Sequence, residues 1–158
     1  MIEEKVGVIK EIVKKKFLSS DTYNIFVTNQ RLIFSLLTKD DKKETERRLN
    51  EKVKGKSFKE RLEIIATHTY ELPNRYDKMS LAEILEENSK NFQLGFDEIV
   101  KIKVKRPKTK DSNEQIKSDY LVFETTQDKF TITPSSQHTL NLLNQVLGDK
   151  AKIPKLIL

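Results

Sequence analysis

The chain has 158 residues, enough for one domain with a buried core, and 34% of them are charged, more than in an average globular protein. It contains no cysteine, which excludes disulfides, thiolate zinc sites, iron–sulfur clusters and cysteine nucleophiles. The net charge is +6, and a run of six basic residues between positions 101 and 110 accounts for it, because no acid lies among them and the rest of the chain is balanced. The basic character is therefore local.

The N-terminal third is rich in residues that favour strands. Residues 1–17 contain no long uncharged apolar run, so they predict neither a secretory signal nor a membrane span, and we expect a cytoplasmic protein. Between Val6 and Phe17 periodicity leaves two alternatives open, a strand with one set of residues on a face (Val6, Val8, Ile12) or a helix with another (Ile2, Val6, Ile9, Val13, Phe17). Residues 23–37 are β-branched and aromatic around the turn-forming residues 28–31, which predicts a β-hairpin.

Residues 39–92 predict a helical segment inserted between strand regions. Lys39–Lys54 is almost entirely charged, with Leu49 and Val53 as its apolar anchors, so we expect an exposed helix that ends at Gly55. Because two apolar anchors do little to stabilise so long a helix, we expect residues 39–56 to be the most mobile internal segment. A second helix begins with a capping box of Ser57 and Glu60 and carries an apolar side (Phe58, Leu62, Ile65, Ala66). A third begins with Ser80 and Glu83 and turns three residues inward (Leu81, Ile84, Leu85).

The C-terminal half predicts a sheet and a covering helix. Glu98–Arg106 alternates, with Val100, Ile102 and Val104 on one face and lysines on the other, as in a half-buried antiparallel strand. Residues 119–126 and 129–133 predict a hairpin that turns at Gln127 and Asp128. Thr133 then caps a helix that starts at Pro134 and ends at Gly148. We expect one core joining both ends of the chain (Val27, Leu32, Phe34, Ile102, Val104, Leu121, Phe123, Ile132, Leu140, Leu143, Leu147).

Three stretches resemble the pleckstrin-homology-like (PH-like) fold, especially its small prokaryotic and GRAM-like members. They are VTNQRLIF (27–34), FDEI (96–99) and LVFETTQDKFTIT (121–133), followed by one C-terminal amphipathic helix. The likeness covers about 100 residues at the two ends and leaves out residues 39–90. It implies an α+β fold in which a bent antiparallel sheet of about seven strands, or partial barrel, is closed by the C-terminal helix. The whole chain, 1–158, is then one domain with a helical insertion at 39–92.

No pattern in the sequence predicts an active site or a cofactor. His68 and His138 lack a second histidine or cysteine at metal-ligand spacing, so we interpret both as helix-end residues. The four glycines are far apart, which excludes a glycine-rich phosphate loop. The adjacent acids Asp40-Asp41 and Asp97-Glu98 are interpreted as a turn and a strand entry, because neighbouring side chains diverge.

Two basic features are candidate binding elements. Arg31 follows the predicted hairpin turn, where it either receives an anion or, as we favour, braces the sheet through a carboxylate. The run of Lys101, Lys103, Lys105, Arg106, Lys108 and Lys110 is the candidate anion-binding site. Its simplest interpretation is a solvated strand face that discourages edge pairing. No aromatic side chains interleave with it to stack bases, so nucleic acid is not the expected partner.

The hypothesis that follows is a non-enzymatic module that binds a protein, copies of itself included, with the inserted helices as the distinctive surface. Two alternatives stay open. The first is weak binding to anionic lipid at the membrane periphery, or to another polyanion, through the basic run. The second is an enzyme with a site assembled from Asp, Glu, His and Tyr.

Overall fold

The computed structural model describes residues 2–16, 19–67, 72–106, 119–133 and 135–152. Within these ranges it contains eight strands and four α-helices, numbered in chain order: β1 (Lys5–Lys16), β2 (Ser19–Thr28), β3 (Arg31–Leu36), α1 (Lys39–Val53), α2 (Phe58–Thr67), α3 (Leu81–Glu86), β4 (Phe92–Gly95), β5 (Ile99–Lys105), β6 (Tyr120–Thr125), β7 (Lys129–Thr133), α4 (Gln137–Leu147) and β8 (Ala151–Lys152). Two short 3-10 helices, Asn74–Lys78 and Phe96–Glu98, precede α3 and β5, and a third, Gly148–Lys150, follows α4. The predicted α+β class is confirmed.

All eight strands form one sheet, in the order β4-β3-β2-β1-β7-β6-β5-β8. Neighbouring strands are antiparallel except β5 and β8, which run parallel. The sheet is therefore mixed, and β4 and β8 have no counterpart among the predicted elements. Both are short, four and two residues, so their composition carries too little periodicity to reveal them.

The inner face of the sheet holds the main core. The sheet curls so that strands far apart in its order meet there: the Phe34 ring lies 6.4 Å from that of Phe123, and the Phe92 ring lies 6.3 Å from that of Phe130. Helix α4 covers this core with Leu140, Leu142, Leu143 and Leu147. The predicted core is confirmed in all eleven positions, with Val104 half-buried (Val27, Leu32, Phe34, Ile102, Val104, Leu121, Phe123, Ile132, Leu140, Leu143, Leu147).

The N-terminal segment is a strand, so the strand alternative holds, but the predicted face is wrong. Pairing with β2 shifts register between Ile9 and Ile12, and both of these side chains are buried in the inner core. Glu11 lies in the shifted stretch with φ of 53°. Val8 packs against a second cluster on the opposite side of the sheet. A bulge adds residues to one strand and so breaks the alternation of faces that the prediction assumed.

A second bulge corrects the prediction for β5. Its pairing with β6 shifts register between Ile99 and Lys101, so Val100, predicted to face inward, is 54% exposed. Ile99 takes the buried position in its place. From Ile102 onward the predicted alternation holds, with Ile102 opposite Phe123 in the core.

The insertion packs on the outer face of β2 and β3. There Phe26 and Ile33 join Tyr76 and Ile84 in a small buried cluster, which residues of α3 and its flanks cover (Leu72, Met79, Leu81, Leu85). This half of the sheet therefore has a layer on each side. The inward orientation predicted for the residues of α3 is confirmed.

Helix boundaries follow the predicted caps in part. Ser80 and Glu83 form the predicted capping box of α3, and at α2 the Glu60 N–H donates to Ser57 Oγ at 3.3 Å. The predicted start of the C-terminal helix is wrong. Ser136 is its N-cap, while Thr133 is the last residue of β7 and Pro134 lies outside the described residues. A Thr-Pro pair resembles a helix start, yet strand pairing with β1 holds Thr133 in the sheet.

Candidate functional surfaces

The predicted basic strand lies on the outer face of the sheet. Lys101, Lys103 and Lys105 alternate with Ile102 and Val104, whose side chains pack in the core. Residues two apart on a strand are about 7 Å apart, so the three ammonium groups line one side of β5. Arg106 follows as an exposed residue, while the predicted members Lys108 and Lys110 lie outside the described residues.

Neighbouring strands extend this positive charge across the sheet. One row of paired residues crosses five strands. On one side of Lys103 lies Lys152 of β8. On its other side the row continues through Val122 of β6 and Thr131 of β7 to Lys15 of β1. Residues paired in this way share a face. The next row contains Lys101, Glu124 and Lys129. We call this set the basic sheet face: Lys15, Lys101, Lys103, Lys105, Lys129 and Lys152.

Glu124 partly neutralises one row of the face. Its carboxylate lies 3.5 Å from Lys101 Nζ and 3.8 Å from Lys129 Nζ. In the described part of the chain, no other carboxylate forms an ion pair with a lysine of the face. The neighbouring ammonium of Lys101 lowers the pKa of Lys103, as expected where like charges are close. The face is therefore positively charged with one acid inside it.

A cleft of about 440 Å³ opens where β4 faces the β6–β7 turn. Its aromatic wall is Phe92 and Phe130, and Lys14 Nζ lies 4.8 and 4.7 Å from the centres of these two rings, which are cation–π distances. Lys14 occupies the face of β1 opposite to Lys15, so it belongs to the cleft and not to the basic sheet face. Lys14, Lys15 and Lys16 are consecutive in the sequence, which does not show which of them face the core side of the strand.

The carboxylates of the cleft are already engaged. Asp21 lies 3.4 Å from Lys90 Nζ, Glu98 accepts the Gly95 N–H at 2.7 Å, and Asp128 accepts from the Thr125 hydroxyl at 2.9 Å. Glu98 thus caps the strand entry that was predicted for the Asp97-Glu98 pair. The residues that line the cleft in the described part of the chain include no histidine and no serine.

Tyr23 is a buried residue that lines the cleft. Its hydroxyl donates to the Lys90 carbonyl at 3.2 Å, and its ring packs edge-to-face against Phe92. Burial raises the pKa of Tyr23, and the nearby charge of Asp21 raises it further. A phenol with a raised pKa stays protonated, so Tyr23 acts here as a hydrogen-bond donor.

Arg31 braces the sheet, as favoured from the sequence. Its Nε donates to Glu3 Oε2 at 2.9 Å, its Nη2 donates to Glu3 Oε1 at 3.0 Å, and its Nη1 donates to the Gln93 side chain. The hydrogen bond from Arg31 lowers the pKa of Glu3 despite the opposing effect of burial. The guanidinium therefore links the N-terminus to β3 and β4.

A polar network that the sequence did not reveal fixes the insertion to the sheet. Asp41 was interpreted as part of a turn, but it lies in the first turn of α1 with its side chain only 5% exposed. It accepts from Arg75 Nη1 at 2.7 Å, and Arg75 Nε also donates to Glu87. Tyr76 Oη lies 2.8 Å from Ser35 Oγ of β3. The sequence alone does not predict this cluster, because its members are far apart in the chain.

The apolar side of α2 is exposed. Phe58, Leu62 and Ile65 are 78%, 52% and 53% exposed, at the i, i+4, i+7 spacing that places them on one side of a helix. The helix contacts α1 in the described chain, while its apolar side faces outward. The sequence predicted the stripe but not its exposure, since periodicity does not show what a stripe covers.

The histidines do not form a site. His138 Nε2 lies 3.2 Å from the Val8 carbonyl on the surface, and His68 lies outside the described residues. Within the ranges that the structure describes, no three histidine, aspartate or glutamate side chains are close enough to hold a metal ion. No described helix has the length and apolar content needed to cross a membrane.

Comparisons with known proteins add one similar structure. No protein-family description matches the chain. No curated protein matches it in sequence. The C-terminal domain of an unknown protein from Leishmania infantum, solved by crystallography, is similar with a TM-score of 0.45 and 12% identity over 92% of this chain and 84% of that chain.

Proposed function

We propose that the protein is a non-enzymatic module that binds another protein through the exposed apolar side of helix α2. The observation that carries this proposal is the exposure of Phe58, Leu62 and Ile65 on one side of a single helix. Burying a large apolar side chain contributes about 1.5–3 kcal/mol, so three of them provide a driving force for association. Large apolar residues grouped on a surface are typical of protein interaction sites.

The surroundings of α2 support this use. The cluster around Tyr76 packs on the sheet, and the Asp41–Arg75 contact attaches the first turn of α1 to it, while α2 contacts α1. Charged residues flank the apolar side of α2, as at the rim of an interface (Lys59, Glu60, Arg61). The proposed partner is a protein with an apolar surface, and a second copy of this chain is the first candidate.

Sedimentation equilibrium over a wide range of concentrations tests self-association. We expect the mass to rise with concentration and Phe58→Asp to remove the rise. Lys59→Asp is the matched control, because it changes an adjacent exposed residue of the same helix. If the chain stays monomeric, a photo-crosslinking residue placed at position 58, with position 59 again as the control, tests for another protein. A monomeric chain with no product specific to position 58 would contradict the proposal.

We also propose that the chain is a PH-like domain. The support is the chain order of its elements: the VTNQRLIF hairpin of β2 and β3, the FDEI step into β5, the β6–β7 hairpin, and one helix that covers the sheet. Residues 39–91 are then the insertion between β3 and β4. An experimental structure that placed α4 away from the inner face of the sheet would contradict this assignment.

A further inference from the structure

We propose that the basic sheet face is a docking surface for an anionic membrane, separate from the apolar side of α2. The sequence shows only the lysines of β5. The structure adds lysines from three other strands, so the charge covers a surface and not a line. The occupant that we assign to it is a bilayer surface rich in anionic headgroups.

The dimensions of the face suit an extended partner. The row from Lys152 through Lys103 to Lys15 crosses five strands, which at about 4.8 Å a step spans about 19 Å. Along β5 the lysines extend over about 14 Å. A patch of this size reaches several headgroups at once, and none of its six lysines lines the cleft beside β4.

The charge of the face is largely uncompensated. The face holds six lysines and Glu124, and Lys15, Lys103, Lys105 and Lys152 form no ion pair in the described part of the chain. Like charges at these separations repel one another, and an anionic surface relieves that repulsion. Each such lysine raises the affinity for an anionic membrane about fivefold, so the effects of several multiply.

Three details favour a membrane over nucleic acid. The basic residues described on the face are lysines, which act as point charges, whereas arginine is the residue suited to forked contacts with individual phosphates. Tyr120, opposite Lys105, is the aromatic side chain paired on these rows, and stacking of successive bases needs several. Val100, 54% exposed beside Lys101, offers an apolar contact to the headgroup layer.

The test is co-sedimentation of the full chain with phosphatidylserine-containing and pure phosphatidylcholine vesicles, at low and high salt. The row variant changes Lys15, Lys103 and Lys152 to Glu. The control changes Lys42, Lys43 and Lys54 to Glu, three exposed lysines in and just after α1, and therefore has the same net charge. We expect parent and control to bind the anionic vesicles at low salt, and the row variant to bind at least about 100-fold more weakly. A Lys-to-Gln version of the row variant repeats the comparison if charge reversal impairs folding.

Three results would overturn the proposal. The first is no binding of the parent to anionic vesicles at low ionic strength, where attraction is least screened. The second is an equal loss in the control, which would assign binding to overall charge. The third is tighter binding of the parent to double-stranded DNA than to the vesicles, lost in the row variant, which would make nucleic acid the partner. The row variant leaves the residues of α2 unchanged, so its self-association and the position-58 crosslink should match those of the parent, and the two proposals can fail separately.

Discussion

Replacing Arg75 with Met should loosen the insertion from the sheet. The substitution leaves the Asp41 carboxylate, 5% exposed, without its countercharge, and it also removes the partner of Glu87. Removing one member of a fully buried ion pair costs about 3–5 kcal/mol. Because the Arg75 side chain is itself 36% exposed, water replaces part of the interaction, and we expect a loss of about 2–3 kcal/mol. Urea denaturation followed by circular dichroism at neutral pH measures the free energy of unfolding.

The effect of this substitution should depend on pH in one direction. Burial alone would raise the pKa of Asp41, but hydrogen bonds from Arg75 and Thr38 outweigh it and hold the pKa below its usual range. A group with a lowered folded pKa stabilises the fold above its unfolded pKa, about 3.9, and loses that contribution as pH falls through the folded value. The difference between parent and variant should therefore shrink in acid.

Lys90→Met is the matched control for Arg75→Met. Its ion pair with Asp21 joins side chains that are 60% and 35% exposed, so we expect a cost below about 1 kcal/mol. A cost for Arg75→Met no larger than that of this control, or a difference that persists unchanged in acid, would refute the idea that the Asp41–Arg75 contact anchors the insertion.

Three further outcomes follow from the fold. Leu143→Ala should cost about 2–5 kcal/mol in urea denaturation, because this side chain of α4 is fully buried against the inner face of the sheet. A cost well below about 1 kcal/mol would show that the helix is not docked. Amide hydrogen exchange should be faster in α1 beyond its first turn than in the 119–133 hairpin, because the buried residue of α1 is Asp41, in the first turn. Equal protection would show that α1 is packed along its length. Gly148→Ala should lower the free energy of unfolding by about 1–2 kcal/mol, because Gly148 has φ of 57°, a backbone conformation that alanine rarely adopts. An added Cβ meets no atom within 4 Å, so the whole effect comes from backbone strain. An unchanged stability in thermal melts would contradict this.

Regular elements were predictable from the sequence where one periodicity runs without interruption. The β2–β3 and β6–β7 hairpins and the α4 stripe each keep their period, and the core they form was predicted correctly. The errors about which side chains face the core lie at the bulges near Glu11 and Val100, where an added residue reverses the faces that follow or precede it. The wrong start of α4 has another cause, because pairing with β1 holds Thr133 in the sheet. A period of two carries no signal that marks such a shift in advance.

The candidate surfaces were predictable only within single elements. The lysines of β5 form a sequence pattern, but the addition of Lys15 and Lys152 depends on the pairing of β1 with β7 and of β8 with β5. The Asp41–Arg75 contact likewise joins residues 34 positions apart. A sequence shows charged residues and apolar helix stripes, while the pairing of strands in the fold determines which of these residues share a face.

The two proposed surfaces follow from how the outer side of the sheet is divided. Over β2 and β3 the outer residues include Phe26 and Ile33, which are buried because the insertion covers them. Over β5, β6 and β7 no described element covers that side, and there the outer positions hold four lysines, a glutamate, two threonines and a tyrosine around Val122. A sheet face without a covering layer must be polar to remain in water. This requirement explains why the residues are polar, but not why most of their charges are positive. The basic sheet face as a whole contains six lysines and one glutamate, an excess of positive charge that solvation alone does not require. The membrane proposal rests on this excess.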